Sequence, residues 1–307
     1  MKKYMILAVS ALLFVACSND DEITKWNGEI RLCTTTLLQT RAAQGIQGDQ
    51  FEQNENVDIY IKEDVDAPTT TYPQPLVYTA DGNGGLSNDQ TQSYPESGNG
   101  VRIYGIYPSG TAVDDNTTLP SYFEVKSDQT ESANYKLSDL MFGEPASNPV
   151  FKQAAPVPVV FTHLLSKINI NVEADGETLT ADDLENATVK ILTPFIACSI
   201  GRENDFLIDP IEGQFIEITA GILAANNMSC SAIIIPQECS GEFIQIVLAN
   251  NGPTLTYSLP EATTTSAAFE SGKMYTYNIR ASRYNLNATT QIQPWGEEGP
   301  FEGMATN

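Results

Sequence analysis

The stretch VPVVFTHLLSKININV, residues 157–172, contains the alternation that decides the fold class. In its second half Ile168, Ile170 and Val172 are separated by single polar residues. A period of two is the pattern of a β-strand with one buried face. The three apolar side chains are therefore predicted to face a core. The side chains predicted to face solvent are Lys167, Asn169 and Asn171.

Similar patterns recur along the chain, and turn-forming residues are frequent between them. Three segments alternate and a fourth is apolar nearly throughout: VDIYIK (57–62), TLTYSL (254–259), MYTYNIR (274–280) and FIQIVLA (243–249). Helix signals are rare, and the one predicted helical turn is TADDLENA (180–187), which Thr180 can cap. Short strands with one solvated face predict an all-β protein built from antiparallel sandwiches.

A stretch rich in Pro and Ala, residues 143–160, divides the chain into two halves of different character. The half before it is rich in loops, whereas the half after it is more regular. A length of 307 residues fits two domains of ordinary size. We therefore predict an N-terminal sandwich over residues 24–155 and a C-terminal sandwich over residues 156–307.

The N-terminus has the features of an export signal. Two lysines precede the apolar run Met5–Val15, which is too short to span a membrane as a helix. The run ends in LFVAC, which resembles the lipobox of bacterial lipoproteins. That resemblance implies a signal peptide over residues 1–16 and acylation of Cys17 by fatty acids such as palmitate. The alternative is an ordinary secretory signal that happens to contain a cysteine.

An acidic segment, residues 17–23, follows the predicted lipid site. It resembles the export signal of surface-exposed lipoproteins in gut and oral anaerobes, and predicts a surface-exposed outer-membrane lipoprotein. The formal net charge of the whole chain is −23. Because phosphate binding needs a basic surface, this charge excludes a nucleic-acid partner.

The sequence offers little material for catalysis. Its single histidine, His163, excludes metal sites that need two histidines, and its apolar surroundings favour a structural role. No catalytic residue, metal site or cofactor is predicted. With 39 acidic residues a pair of carboxylates for glycoside hydrolysis stays open, but no motif singles out two of them.

Four cysteines remain beyond Cys17, and they allow three disulfide pairings. Cys230 and Cys239 are nearest in sequence and could bridge a hairpin. The alternative is a set of buried thiols. The four residues are Cys33, Cys198, Cys230 and Cys239.

Several segments together resemble the fimbrillins, the shaft, tip and anchor subunits of type V pili. The most specific is the Phe-x-His-x-x-Ser-Lys pattern within residues 157–172, which follows DLMFGEP. The family's Gly-Lys-x-Tyr-x-Tyr pattern lies within residues 269–279. The remaining similarities are the lipobox, residues 40–61 and residues 289–299. Their order and spacing cover almost the whole chain.

The resemblance implies two transthyretin-like sandwich domains and a pilus subunit without enzymatic activity that serves cell adhesion. It also implies assembly by strand exchange. A surface Arg-specific protease removes the N-terminal strand of the lipoprotein precursor, and the emptied groove accepts a C-terminal strand of a neighbouring subunit. The implied partners are other pilus subunits, this protease, and the outer membrane through the lipid.

These roles can be placed on residues of this chain. Cleavage between Arg41 and Ala42 would detach a strand in which Ile30 and Leu32 share one face. Near residues 286–295, a candidate donor strand alternates. The residues on its predicted inward face are Leu286, Ala288, Thr290 and Ile292.

Alternatives stay open at this point. Arg41 could be a linker charge, and residues 286–292 could be an ordinary strand of their own domain. The alternative function is a surface lipoprotein that binds glycan and does not assemble into a pilus. Its binding platform would need exposed aromatic residues, for which the sequence offers Trp26, Trp295 and 13 tyrosines.

Overall fold

The computed structural model describes residues 26–36, 51–113, 119–193, 195–202, 206–211, 213, 216–250, 252–259 and 267–295. Within these residues the chain forms twenty strands and two short helices. In the first half the strands are β1 (Leu32–Thr36), β2 (Asn56–Glu63), β3 (Leu76–Ala80), β4 (Gly85–Ser87), β5 (Val101–Tyr107), β6 (Phe123–Glu124), β7 (Met141–Glu144) and β8 (Val157–His163).

In the second half the strands are β9 (Ser166–Ala174), β10 (Thr188–Thr193), β11 (Ala197–Arg202), β12 (Phe206–Pro210), β13 (Ile216–Ile222), β14 (Ser229–Ile234), β15 (Gln237–Cys239), β16 (Gly241–Val247), β17 (Thr254–Leu259), β18 (Ala267–Phe269), β19 (Lys273–Ala281) and β20 (Leu286–Pro294). The all-β prediction is confirmed.

The two helices are α1 (Ser132–Leu137) and α2 (Ala181–Leu184). The sequence predicts α2, and Thr180 caps it as expected. The Thr180 side chain accepts from the backbone N–H of Asp183, and the Asp183 carboxylate accepts from the N–H of Thr180. None of the helices in the described part of the chain has the length and apolar character needed to cross a lipid bilayer.

Seven strands close into a barrel in the order β1-β4-β3-β2-β5-β7-β8. Its interior is filled by apolar side chains, among them Phe51 and Phe161, whose rings meet edge to face with centroids 4.9 Å apart. Glycine at positions 105 and 143 leaves room for the Phe161 ring. A Cβ at Gly143 would lie 2.8 Å from three of its carbons.

The second core lies between two four-stranded sheets, with orders β13-β10-β16-β17 and β14-β9-β19-β20. Tyr277 of β19 meets Phe243 of β16 with ring centroids 5.6 Å apart, and meets Tyr257 of β17 at 5.9 Å. These contacts show that the two sheets pack face to face.

Two strand pairs depart from the antiparallel arrangement that the sequence predicts. β1 runs parallel to β8, and β9 runs parallel to β19. Parallel neighbours need a long connection, and each of these pairs is separated by a large part of the chain. Alternation within a strand does not reveal such pairings.

The chain does not divide cleanly at one residue. β8 follows the predicted break near residue 155, yet its strand neighbours are β1 and β7 of the barrel. Conversely, β6 pairs with β11, and the Gln129 side chain hydrogen-bonds to the backbone of Ile233. The domain assignment over residues 24–155 and 156–307 stays a prediction.

Candidate functional site

The segment that the sequence predicts to be removable is a part of the barrel wall. β1 lies between β4 and β8, and Leu32 is opposite both Leu86 and Val157. The N–H of Thr34 donates to the carbonyl of Gly84 at 2.7 Å. On the other side, the N–H of Val157 donates to the carbonyl of Arg31, also at 2.7 Å.

Backbone pairing continues ahead of β1. The N–H of Ile30 donates to the carbonyl of Gln92 at 2.8 Å, and the N–H of Tyr94 donates to the carbonyl of Gly28 at 3.0 Å. Residues 28–36 therefore form one continuous bonded segment, which we call the N-terminal strap. Its removal would leave backbone groups of β4, of β8 and of residues 92–94 without these partners.

The inward face of the N-terminal strap is fully packed. Ile30, Leu32 and Thr34 are each buried, as the alternation predicts, and Ile30 and Leu32 belong to the barrel core. Burying an aliphatic side chain of this size stabilises a fold by roughly 1.5–3 kcal/mol. Losing the strap would therefore open a groove lined by apolar side chains and by unpaired strand edges.

The predicted processing and lipidation sites lie outside the described residues. This applies to Arg41 and Ala42, to Cys17, and to the predicted signal peptide and acidic tether. β1 ends at Thr36, five residues before Arg41 in the sequence. A cut after Arg41 would thus fall C-terminal to the whole N-terminal strap.

The predicted donor strand is β20, and it forms a hairpin with β19. Nine residue pairs join the two strands, from Lys273 opposite Pro294 to Ala281 opposite Leu286. β20 lies at the edge of its sheet, with β19 as its single strand neighbour among the described residues. In this state β20 is a strand of its own subunit.

Burial decreases along the predicted inward face of β20, from Leu286 to Ile292. Leu286 is 6% exposed, Ala288 and Thr290 are half-buried, and Ile292 is 47% exposed. The predicted inward positions thus include one large apolar side chain that its own sheet leaves half uncovered.

The sequence places this architecture in a known group. Residues 40–295 match the sequence profile of the family described as fimbrillin-like. The chain belongs to the fimbrillin-like family. The match begins one residue before Arg41 and ends at Trp295, just after β20.

Individual relatives of this fimbrillin-like chain are distant in sequence. A Bacteroides uniformis protein named "Putative fimbrium subunit Fim1C" is 22% identical, over 99% of this chain and all of the relative. A solved structure of a "putative cell adhesion protein" from Bacteroides uniformis superimposes with a TM-score of 0.64 at 23% identity, covering 87% of this chain and 98% of that one. A second solved structure with the same description, from Bacteroides ovatus, superimposes with a TM-score of 0.62 at 18% identity and covers 88% of this chain and 98% of that one. The two structures share the fold of this chain.

The single histidine of the fimbrillin-like chain is a packing residue, in agreement with the sequence prediction. His163 Nδ1 lies 2.8 Å from Asp139 Oδ1, and Asp139 is fully buried. The imidazole stacks on the Trp295 indole with centroids 3.8 Å apart and planes 5° apart. All three residues lie in segments that resemble the family's motifs, but the motifs do not predict that these side chains meet.

The three C-terminal cysteines of the fimbrillin-like chain are thiols. Cys198, Cys230 and Cys239 form no disulfide; Cys198 and Cys239 are buried thiols, as the predicted alternative has it, and Cys230 is a partly buried one. Burial raises the pKa of each to about 12, which keeps them protonated and unreactive at neutral pH.

The two tryptophans do not form an exposed platform for glycan. Trp26 is partly buried and meets Tyr94 edge-on with ring centroids 6.3 Å apart, and Trp295 is buried under His163. In the described part of the fimbrillin-like chain, no three His, Cys, Asp or Glu residues are grouped so that they could hold a metal ion.

Proposed function

We propose that this fimbrillin-like chain is a structural, non-enzymatic subunit of a surface pilus that serves cell adhesion. It is exported as an outer-membrane lipoprotein acylated at Cys17, exposed on the cell surface, and built from two transthyretin-like domains. It assembles with other pilus subunits by strand exchange after an Arg-specific protease cuts between Arg41 and Ala42. The names of the relatives, a fimbrium subunit and cell adhesion proteins, support this assignment.

One observation carries the proposal: the strand that precedes Arg41 is an interior member of the barrel. β1 is bonded on both sides, to β4 and β8, and Ile30 and Leu32 lie in the core. Before cleavage the barrel is closed and the subunit has no open edge here. After cleavage and loss of the strap, the edges of β4 and β8 require a new strand.

β20 has the properties that a replacement strand needs. It is uncharged, lies at a sheet edge, and spans nine residues, the same length as the N-terminal strap. The order of inward side chains is also similar. The strap offers Ile30, Leu32 and Thr34, and β20 offers Leu286, Ala288 and Thr290. Main-chain hydrogen bonds would supply affinity, and the alternate side chains would supply fit.

The proposal is tested by Arg41→Ala. Wild-type protein treated with an Arg-specific protease is expected to yield a new N-terminus at Ala42 and an SDS-resistant ladder of polymers. The variant is expected to keep its lipidated N-terminus and to stay monomeric. The matched control is Arg102→Ala, which removes a partly exposed arginine paired with Asp64 at 2.6 Å in the barrel.

Two results would contradict the model. Polymerisation of Arg41→Ala at the wild-type rate would show that this cut is not the trigger. Polysaccharide binding by the uncut monomer, together with failure to polymerise after cleavage, would instead favour the stand-alone glycan-binding lipoprotein.

A further inference from the structure

We infer that His163 and Trp295 form a latch that fastens the C-terminal end of β20 and couples its release to the N-terminal strap. The consequence for assembly rests on the proposed function, because it concerns the strand that would be donated. The latch itself is a property of the uncut monomer and can be measured there.

Besides its backbone pairing with β19, β20 is anchored by buried side chains at its two ends. Leu286 is buried at the start of the strand, and Trp295 is buried just after its end. Between them Asn287, Thr289 and Gln291 are exposed, and Ile292 is 47% exposed. In an edge strand with so little apolar burial in its middle, the buried side chains at its ends supply most of the side-chain anchoring.

The C-terminal end is fixed by three kinds of contact. The Trp295 ring lies flat on the His163 ring, with centroids 3.8 Å apart. The backbone N–H of Trp295 donates to the carbonyl of Gly272 at 2.6 Å. The Lys167 ammonium lies 5.9 Å from the centroid of the indole, within the range of a cation–π contact.

The orientation of His163 is itself determined by the first half of the chain. Asp139, two residues before β7, contacts Nδ1 of His163 at 2.8 Å from a fully buried position. Asp139 Oδ2 is also buried and has no hydrogen-bond partner, so the contact with the imidazole through Oδ1 and the nearby charge of Lys167 are what offset the burial of this carboxylate. The ring therefore presents one face to Trp295.

The latch is connected to the N-terminal strap through β8. His163 is the last residue of β8, and β1 runs along the same strand from Leu32 opposite Val157 to Thr36 opposite Phe161. Loss of the strap removes a neighbour from β8 up to two residues before His163. We expect this loss to loosen His163 and so to weaken the hold on Trp295. Opening the acceptor groove would thus prepare the same subunit's β20 for donation.

Amide hydrogen exchange of the purified intact chain tests the latch. Trp295→Ala is expected to speed exchange in β20 by about tenfold or more, because ring stacking and burial at the strand end are lost. His163→Ala should have a similar effect, and His163→Phe should restore part of the protection because it keeps a stacking ring. The control is Gln291→Ala, an exposed position in the middle of the same strand.

The double variant His163→Ala/Trp295→Ala separates a latch from general packing. If the two residues act as one contact, amide exchange in β20 of the double variant should exceed that of the more affected single variant by no more than about threefold. Full additivity would overturn the latch. Unchanged exchange in β20 of the Trp295→Ala variant would also overturn the latch. So would an equal acceleration of exchange in β16 of the facing sheet, because Trp295 would then be an ordinary core residue.

The coupling is tested by cleaving the chain with an Arg-specific protease and separating the strap. In the wild type, amide exchange in β20 should be faster in the monomer without the strap than in the intact chain. In His163→Ala, where the latch is already lost, removal of the strap should change this exchange little. Unchanged exchange in the wild type would overturn the coupling. Failure of stripped subunits to polymerise, with the latch intact, would count against the proposed function alone. Polymerisation of Trp295→Ala no faster than that of the wild type would count against the latch alone.

Discussion

Leu32 and Val157 lie opposite each other in a parallel strand pair, although 125 positions separate them in the sequence. This pairing makes the N-terminal strap the piece that closes the barrel between β4 and β8. A strand bonded on both sides, with two apolar side chains in the core, contributes directly to the stability of the barrel. The same arrangement keeps the edges of β4 and β8 covered.

The contribution of the strap to stability can be measured at Leu32. Leu32→Ala removes a buried side chain from a closed core, so we expect the free energy of unfolding of the barrel to fall by about 2–4 kcal/mol. The matched control is Val77→Ala in β3 of the same barrel, where the side chain is 45% exposed and the loss should stay within about 0.5 kcal/mol. Urea denaturation of the intact, uncut protein measures both. Equal losses at the two positions would show that the strap is not part of the core.

A second prediction concerns the room that glycine leaves for Phe161. A Cβ at Gly143 would lie 2.8 Å from ring carbons of Phe161, which is closer than packing allows. Gly143→Ala should therefore destabilise the barrel by about 1–3 kcal/mol. The control is Gly201→Ala, where the nearest atom is 3.9 Å away. Adding Phe161→Leu should recover part of the loss in Gly143→Ala; if it does not, the ring is not the cause.

Alternation in the sequence predicts strands well, but not what covers their second face. In β2, Val57, Ile59 and Ile61 lie in the barrel core as predicted. Tyr60 points the other way and is nevertheless buried, because it packs in the second core. The contact between the two halves of the chain covers that face, and a periodicity within six residues cannot show it.

Lys167 is a similar case, and here the prediction was wrong. The alternation of β9 places it on the solvent side, yet it is 6% exposed. Trp295, 128 positions later in the sequence, lies near its ammonium group and covers it. Burial accordingly lowers the pKa of Lys167, although the charge of Asp139 opposes this effect.

The candidate site was predictable where it depends on local pattern. The inward face of Ile30 and Leu32, and the helix cap at Thr180, follow from neighbouring residues. The insertion of β1 between β4 and β8, and the meeting of Asp139, His163 and Trp295, depend on contacts between distant segments. Asp139, His163 and Trp295 lie in the motifs and β1 and β4 do not, and in neither case does the order of segments along the chain give their geometry.

Glu63 gives the barrel a pH-dependent stability. Its buried carboxylate accepts from the Ser97 hydroxyl, from the N–H groups of Thr69 and Thr70, and from the Asn99 side chain. The pKa of Glu63 is lowered to about 2, chiefly by the Ser97 hydrogen bond. Burial opposes this shift, and the hydrogen bonds from Thr70, Asn99 and Thr69 add to it. In the unfolded chain its pKa is about 4.3.

Because the folded pKa is the lower one, ionised Glu63 stabilises the fold above about pH 5, and this stabilisation is lost as pH falls from there toward 2. Glu63→Gln should therefore unfold more easily than the wild type at pH 7. The difference between the two proteins should shrink as the pH is lowered toward 2. Urea denaturation of both proteins across this range measures it. A difference that stays constant with pH would contradict this role of the carboxylate.

The last prediction separates the role of β20 in the monomer from its role in assembly. Ile292 is 47% exposed in its own sheet, so Ile292→Thr should change the free energy of unfolding of the monomer by no more than about 0.5 kcal/mol. In a neighbour's groove the same side chain would be covered, so the variant should form fewer and less SDS-resistant polymers after cleavage. Gln291→Ala, on the opposite face of β20, is the control and should polymerise normally. If Ile292→Thr polymerises as well as the control, this side chain is not buried in the assembled state, and β20 is not donated in the proposed orientation.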